Sequence, residues 1–191
     1  MQQVWDSWGN VLMVWALSVP LVTIGAILLV RHRIRRGRPR SEAIRWTVAE
    51  AGLLLGTLPW IWMILTPTSG HRRVILVPFQ DLYATVSEAS FNSLVQIAAN
   101  TLLFVPLGLL LPLRFSRCAG ILRMALIGAA ISTCLETAQY VLDLGRFSSI
   151  DDVIMNATGA ALGASLTRVN PFRTWLSETS PIEGRSAVPS V

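Results

Sequence analysis

The sequence contains little charge and no lysine. Only 14% of its 191 residues are charged, whereas a soluble domain of this size usually carries about 25%. All sixteen basic residues are arginine, and 52% of the residues are hydrophobic. This composition excludes an ordinary soluble domain and predicts one compact polytopic membrane protein.

Residues typical of metal centres and nucleophilic catalysis are also scarce, with two cysteines and two histidines in the chain. Cys118 lies in an arginine-rich loop and Cys134 in an apolar run, a spacing that suits neither a metal site nor a disulfide framework. His32 and His71 stand beside arginines, where histidine is usually solvated. No Ser–His or Cys–His arrangement is present. The sequence therefore predicts no cofactor, apart from the divalent cation considered below.

Five apolar runs predict an all-α transmembrane bundle. They cover residues 11–30, 46–66, 93–113, 123–142 and 152–168. Each of the first four approaches the about 20 residues needed to cross the hydrocarbon core. The fifth run is the shortest, and whether it crosses completely stays open.

The arginines predict the orientation of the bundle. Seven lie in residues 31–45, three in residues 114–123 and three after residue 167, whereas the alternate loops hold only Arg72, Arg73 and Arg146. Since basic loops stay in the cytoplasm, we expect the N-terminus outside, the C-terminus inside and the hairpin at 143–151 outside. The net charge of +5 thus reflects topology rather than nucleic-acid binding. We expect residues 31–40 to touch anionic lipid headgroups.

These spans divide the chain into four parts. Residues 1–66 form two helices joined by an arginine-rich cytoplasmic loop, and residues 67–92 an extracellular loop. Residues 93–173 form a core of three transmembrane helices, and residues 174–191 a disordered cytoplasmic tail. Within the extracellular loop, the apolar segment 74–79 is too short to cross and is expected along the outer leaflet.

Polar side chains interrupt three of the predicted spans. Glu136 and Gln139 precede the hairpin, Asn156 follows it, and Asn100 lies in the third span. An ionisable group within a span costs roughly 2.5–3.5 kcal/mol, so it usually has a partner and a function. Counted along the helices, Asn100, Glu136 and Asn156 lie roughly 7–10 Å below the outer surface. The sequence therefore predicts one polar cluster in the outer half of the membrane.

Three charged residues of the hairpin form a predicted outer lip above this cluster: Arg146, Asp151 and Asp152. Arg146 is the natural counter-ion for Glu136 or for one aspartate, and Ser149 with Asp152 has capping-box spacing. Asp151, Asp152 and Glu136 also offer hard oxygen ligands to Mg²⁺ or Ca²⁺. Simple solvated caps, or a purely structural Glu136–Arg146 pair, are the alternatives.

Proline and glycine are predicted to shape the bundle. Pro106 removes a backbone hydrogen bond and should kink the third span, and Gly108 follows closely. Gly159 and Gly163 form a small-xxx-small face that lets another helix approach. We assign these four residues to packing rather than to chemistry.

The ordered combination of motifs resembles the VanZ-like family of membrane proteins, named for an accessory protein of teicoplanin resistance. It comprises Pro78-Phe79, NTLLFVPLGLLLP at 100–112, LETAQ at 135–139 and GRFSSIDDVIMNATGAALG at 145–163. The resemblance spans residues 74–168 and leaves out the two N-terminal spans. The resemblance implies a multi-pass protein of the bacterial inner membrane with a role related to glycopeptide resistance. It does not imply a particular reaction.

Three functions stay open. In the first, the outward-facing cluster binds a lipid-linked cell-wall precursor or a lipid-tailed glycopeptide, with membrane lipids as further partners. In the second, the protein is an intramembrane enzyme in which Glu136 acts as a general base on a lipid-linked envelope precursor. In the third, the polar groups only fasten helices, and the protein works through a partner. Interhelical hydrogen bonds average only about 0.6 kcal/mol, which ranks this third function last.

Overall fold

The computed structural model describes residues 2–68, 70, 73–87 and 91–167, which form six helices and two short strands. The helices are α1 (Gln2–Arg35), α2 (Arg40–Leu65), α3 (Gln80–Ser87), α4 (Phe91–Arg114), α5 (Ile121–Val141) and α6 (Ile150–Leu166). The strands are β1 (Arg73–Ile75) and β2 (Phe147–Ser149), and a 3₁₀ turn at Ser116–Cys118 joins α4 to α5. Long helices suit an apolar chain because they satisfy their own backbone polar groups.

Four of the described helices are long and apolar enough to cross a membrane: Gly9–Arg35, Arg40–Leu65, Ile97–Arg114 and Ile121–Val141. This confirms the predicted all-helical membrane bundle and its first four spans. The fifth predicted span corresponds to α6, which has 17 residues and would cover about 25 Å of a core about 30 Å thick. The predicted tail at 174–191 lies outside the described residues.

Helix α6 lies between α4 and α5 in very close contact with α4. A Cβ atom on Gly159 would overlap the backbone carbonyl of Thr101, and one on Gly163 would overlap that of Val105. Gly108 of α4 faces the carbonyl of Ala160 in the same way. The glycines assigned to packing thus allow the backbones of α4 and α6 to touch.

Helix α4 continues through Pro106 and Pro112 as one helix. The Pro106 ring lies against Gly56 of α2, where an added Cβ would be 3.1 Å from the proline Cβ. Pro106 therefore contributes a packing surface for α2.

The connections that follow α2 and α5 contain more structure than predicted. β1 and β2 pair in parallel, with Arg73 opposite Phe147 and Ile75 opposite Ser149. The interval 67–92, predicted as a loop, also contains α3. Each strand has only three residues, and the strands are far apart in the sequence, so neither has a local signal.

Arginines hold α1, α2 and α4 together at the other end of the bundle. The Glu50 carboxylate pairs with Arg33 at 2.7 Å and with Arg114 at 2.6 Å. Arg33 also donates to the Thr47 hydroxyl at 2.8 Å, and the Arg114 guanidinium lies 4.4 Å from the centroid of the Trp46 ring. Glu50 is thus neutralised by arginines from two other helices.

The α4–α6 contact predicts the effect of a single added methyl group. We expect Gly159→Ala to destabilise the protein by about 1–3 kcal/mol, since the methyl group meets backbone rather than a movable side chain. Gly25→Ala is the matched control, because nothing lies within 4 Å of its added Cβ. Thermal unfolding in detergent compares the two variants, and equal melting temperatures would contradict the packing argument.

Candidate functional site

A cavity of about 450 Å³ lies where α2 and α5 end and α6 begins. Its polar lining residues are Thr68, Asp81, Asn100, Glu136, Gln139, Arg146, Asp152 and Asn156. Its apolar wall consists of Ile64, Leu103, Leu135, Gly145 and Phe147. Five helices and two connections contribute to this space, so it exists only in the folded chain.

Most of the predicted site residues line this one cavity. The four residues of the predicted intramembrane cluster are all present, as are two of the three outer-lip charges. Asp151 is not in the lining. A functional role for these residues stays a prediction. Some of them make hydrogen bonds that hold helices together, whereas others keep a buried oxygen without a donor among the described residues.

Gln139 and Arg146 bind the last carbonyl groups of α2. Gln139 Nε2 donates to the carbonyl of Ile64 at 3.1 Å. Arg146 Nη2 donates to the carbonyl of Met63 at 2.9 Å, and its Nε donates to that of Thr66 at 3.3 Å. The final carbonyls of a helix have no intrahelical donor and carry a partial negative charge. A cation and an amide therefore satisfy them well.

The role of Arg146 as counter-ion of Glu136 or of an aspartate stays a prediction, and Arg146 forms no direct ion pair with a carboxylate among the described residues. Its hydrogen bonds go to backbone carbonyls at the C-terminal end of α2. Burial lowers the pKa of the Arg146 guanidinium, and the nearby Glu136 carboxylate opposes that shift. Arginine still remains protonated, so the cavity keeps one fixed positive charge.

Asp152 and Asn100 connect α6 to α4. Asn100 Nδ2 donates a hydrogen bond to Asp152 Oδ1. Ser149 is the N-cap of α6 as expected, but its hydroxyl accepts from the N–H of Asp151, at 3.2 Å, rather than from that of Asp152. The Asp152 carboxylate lines the cavity instead.

Asp151 caps a different helix. Its Oδ1 accepts from the N–H of Phe79 at 2.6 Å and its Oδ2 from that of Leu82 at 2.9 Å. These N–H groups belong to the start of α3, where a carboxylate is favoured by the helix dipole. The residue is only 1% exposed, so Asp151 is not the simple solvated cap considered as an alternative.

This position of Asp151 also separates the three carboxylates considered for a divalent cation. Glu136 and Asp152 share the cavity, whereas both Asp151 oxygens are occupied by backbone donors. Within the described ranges, no three His, Cys, Asp or Glu side chains are grouped to hold a metal ion. Binding of a divalent cation by Asp151, Asp152 or Glu136 stays a prediction.

Two buried oxygens in the cavity wall lack a donor from any described residue: Glu136 Oε2 and Asn156 Oδ1. The amide nitrogen of Asn156 donates to the Ser132 hydroxyl at 2.8 Å, which fixes that side chain. Leaving a buried acceptor unsatisfied costs about 1–3 kcal/mol. Such groups call for a donor from beyond the described residues, such as a ligand or a water molecule.

Sequence reasoning missed Asp81 and Thr68, which also line the cavity. Asp81 lies in the first turn of α3, close after the Pro78-Phe79 motif, and that proximity was its only sequence signal. Thr68 donates from its hydroxyl to the carbonyl of Gly145 at 2.6 Å and from its N–H to that of Leu144 at 2.8 Å. These bonds join the connections after α2 and α5, and nothing local in the sequence predicts them.

A smaller apolar cavity shares part of the wall. It has a volume of about 100 Å³ and is lined by Thr57, Ile61, Leu103, Phe104, Leu107, Ile131 and Leu135. Leu103 and Leu135 belong to both cavities. The polar cavity is therefore adjacent to an apolar space between α2, α4 and α5.

The fold is that of a helical membrane protein with polar residues gathered at one end of its bundle. Residues 46–171 match the family model described as VanZ/LLP1. The match covers more than half of the 191 residues, so the chain belongs to the VanZ/LLP1 family. The predicted resemblance is confirmed, and the matched region begins earlier than residue 74, within α2. No curated protein and no solved structure matches the chain.

The Asp151 contacts predict which substitution loosens α3. Asp151→Asn keeps the shape but replaces one acceptor oxygen with a donor, which removes a charged hydrogen bond worth about 1.5–3 kcal/mol. We expect backbone amides around Phe79 and Leu82 to exchange about tenfold faster or more, as measured by hydrogen exchange. Asp152→Asn is the control and should leave these amides protected, and equal acceleration by both variants would contradict the capping role.

Proposed function

We propose that this protein binds an amphiphilic ligand, with the polar head in the cavity and the apolar tail along α2, α4 and α5. The observation that carries the proposal is the wall shared by the polar and apolar cavities through Leu103 and Leu135. A ligand with both parts can contact the two spaces at once. A fully polar solute would leave the apolar space empty.

The cavity wall favours a head group rich in hydrogen-bond donors. Asp81, Glu136 and Asp152 contribute carboxylates, and the unpaired oxygen of Asn156 adds an acceptor. Arg146, the one cation among the described lining residues, already donates to carbonyls at the end of α2. Hydroxyl, amide and ammonium groups suit this lining, and all occur on glycopeptides and on amino-sugar precursors of the cell wall.

The arginine distribution supports an outward-facing cavity. The Glu50 ion pairs with Arg33 and Arg114 lie at the other end of α2 and α4 from the cavity. The positive-inside rule favours a cytoplasmic position for the arginine-rich end, and we therefore propose that the cavity faces the outer surface of a bacterial inner membrane. Lipid-tailed glycopeptides and lipid-linked precursors meet the membrane on that side.

Membership of the family suggests the kind of ligand, since the member for which the family is named is associated with teicoplanin resistance. We therefore propose that the ligand is a lipid-tailed glycopeptide or a lipid-linked envelope precursor, and that binding contributes to resistance. An intramembrane enzyme is the second candidate, favoured by the unpaired Glu136 oxygen, which is suited to a general base.

Resistance measurements in a teicoplanin-sensitive Gram-positive host test this proposal. We expect wild type to raise the inhibitory concentration at least twofold over vector, and Glu136→Gln to return it to the vector value at matched membrane levels. Glu42→Gln is the matched control, because Glu42 lies outside the cavity and its 3.4 Å pair with Arg38 is a surface pair of little energetic value. Full resistance from Glu136→Gln would refute a role for the cavity.

Direct binding separates the ligand from the phenotype. Purified protein in nanodiscs should bind an acylated glycopeptide but not the same glycopeptide without its acyl chain. Loss of one charged hydrogen bond in Glu136→Gln should weaken binding about tenfold or more. Unchanged binding with lost turnover of a lipid-linked precursor would favour the enzyme instead, and absence of binding by wild type would refute the proposed ligand class.

A further inference from the structure

A groove of about 800 Å³ lies between α1 and α2 at the arginine-rich end of the bundle. Its wall is mainly aliphatic, with Ile27, Val30, Ile44, Val48 and Leu55 among its residues. Arg31 and Arg40 complete the lining at one end. The groove is remote from the polar cavity and shares no lining residue with it.

Unlike Arg33 and Arg38, the two groove arginines have no acidic partner among the described residues. Arg33 is bound to Glu50 and Thr47, and Arg38 pairs with Glu42. Arg31 and Arg40 are exposed, and no carboxylate among the described residues pairs with either. The groove thus presents two uncompensated positive charges beside an apolar channel.

The length of the groove matches one leaflet of a bilayer. It follows α2 from Ile44 to Leu55, about 16 Å at the rise of an α-helix. One leaflet contributes half of a hydrocarbon core about 30 Å thick. A chain that enters beside the arginines would therefore reach the middle of the membrane at the far end of the groove.

We infer that this groove is a binding site for one anionic phospholipid. The phosphate lies between Arg31 and Arg40, and an acyl chain follows the aliphatic wall towards Leu55. Guanidinium groups bind phosphate oxygens through charge-assisted hydrogen bonds, and the apolar wall excludes a free phosphate ion as the whole ligand. The lipid would fill the space between α1 and α2 and fasten α1 to the bundle.

Lipid retention on the purified full-length protein tests this inference. Native mass spectrometry would compare phosphatidylglycerol with phosphatidylcholine of the same acyl chains. We expect wild type to retain one phosphatidylglycerol at least tenfold more strongly than phosphatidylcholine, and the double variant Arg31→Gln/Arg40→Gln to lose this preference. Arg35→Gln/Arg36→Gln is the matched control, because it removes the same charge from residues outside the groove lining.

A third variant tests the acyl channel without changing charge. Ala51 lines the groove, and Ala51→Phe should reduce retention of phosphatidylglycerol by filling the space. Equal loss in the Arg35/Arg36 variant would overturn the inference in favour of diffuse surface charge. Equal retention of both lipids by wild type would overturn the anionic headgroup, and full retention by Ala51→Phe would overturn the groove as the position of the tail.

Discussion

Backbone contact between α4 and α6 is the constraint on which the rest of this structure depends. In a membrane, apolar side chains gain little from meeting each other rather than lipid, so close packing of small residues drives helix association. Gly108, Gly159 and Gly163 each face a backbone carbonyl of the opposite helix. This contact fixes the start of α6, and with it the positions of Asp151, Asp152 and Asn156.

The polar residues around the cavity follow a common rule, since helix ends near a membrane must find partners for their backbone groups. Gln139 and Arg146 bind the end of α2, and Asp151 binds the start of α3. Residues that looked like one functional cluster therefore divide into two kinds. Most of them make hydrogen bonds that hold the fold together. Glu136 Oε2 and Asn156 Oδ1 lack donors among the described residues and are the atoms that the proposed ligand would contact.

The four long spans could be predicted because they follow from counting along single helices. The partners of Arg146 and Asp151 could not, because those partners are backbone groups, which carry no signature in the sequence. The position of Asp81 could not be predicted either. Asp81 reaches the cavity because Asp151 holds α3 against α6 through backbone N–H groups. The β1–β2 pair joins two three-residue segments from distant parts of the chain, too short for any periodicity to show.

The sequence alone determined the class of protein, the family, the four long spans and the presence of polar residues within them. These properties depend on composition, periodicity and local motifs, which are written along the chain. Only the tertiary structure decided which polar groups stabilise helix ends and which keep an unpaired oxygen. It also decided that Leu103 and Leu135 join a polar to an apolar cavity. Such choices depend on which helices touch, because a donor is satisfied by whatever acceptor the packing brings within reach.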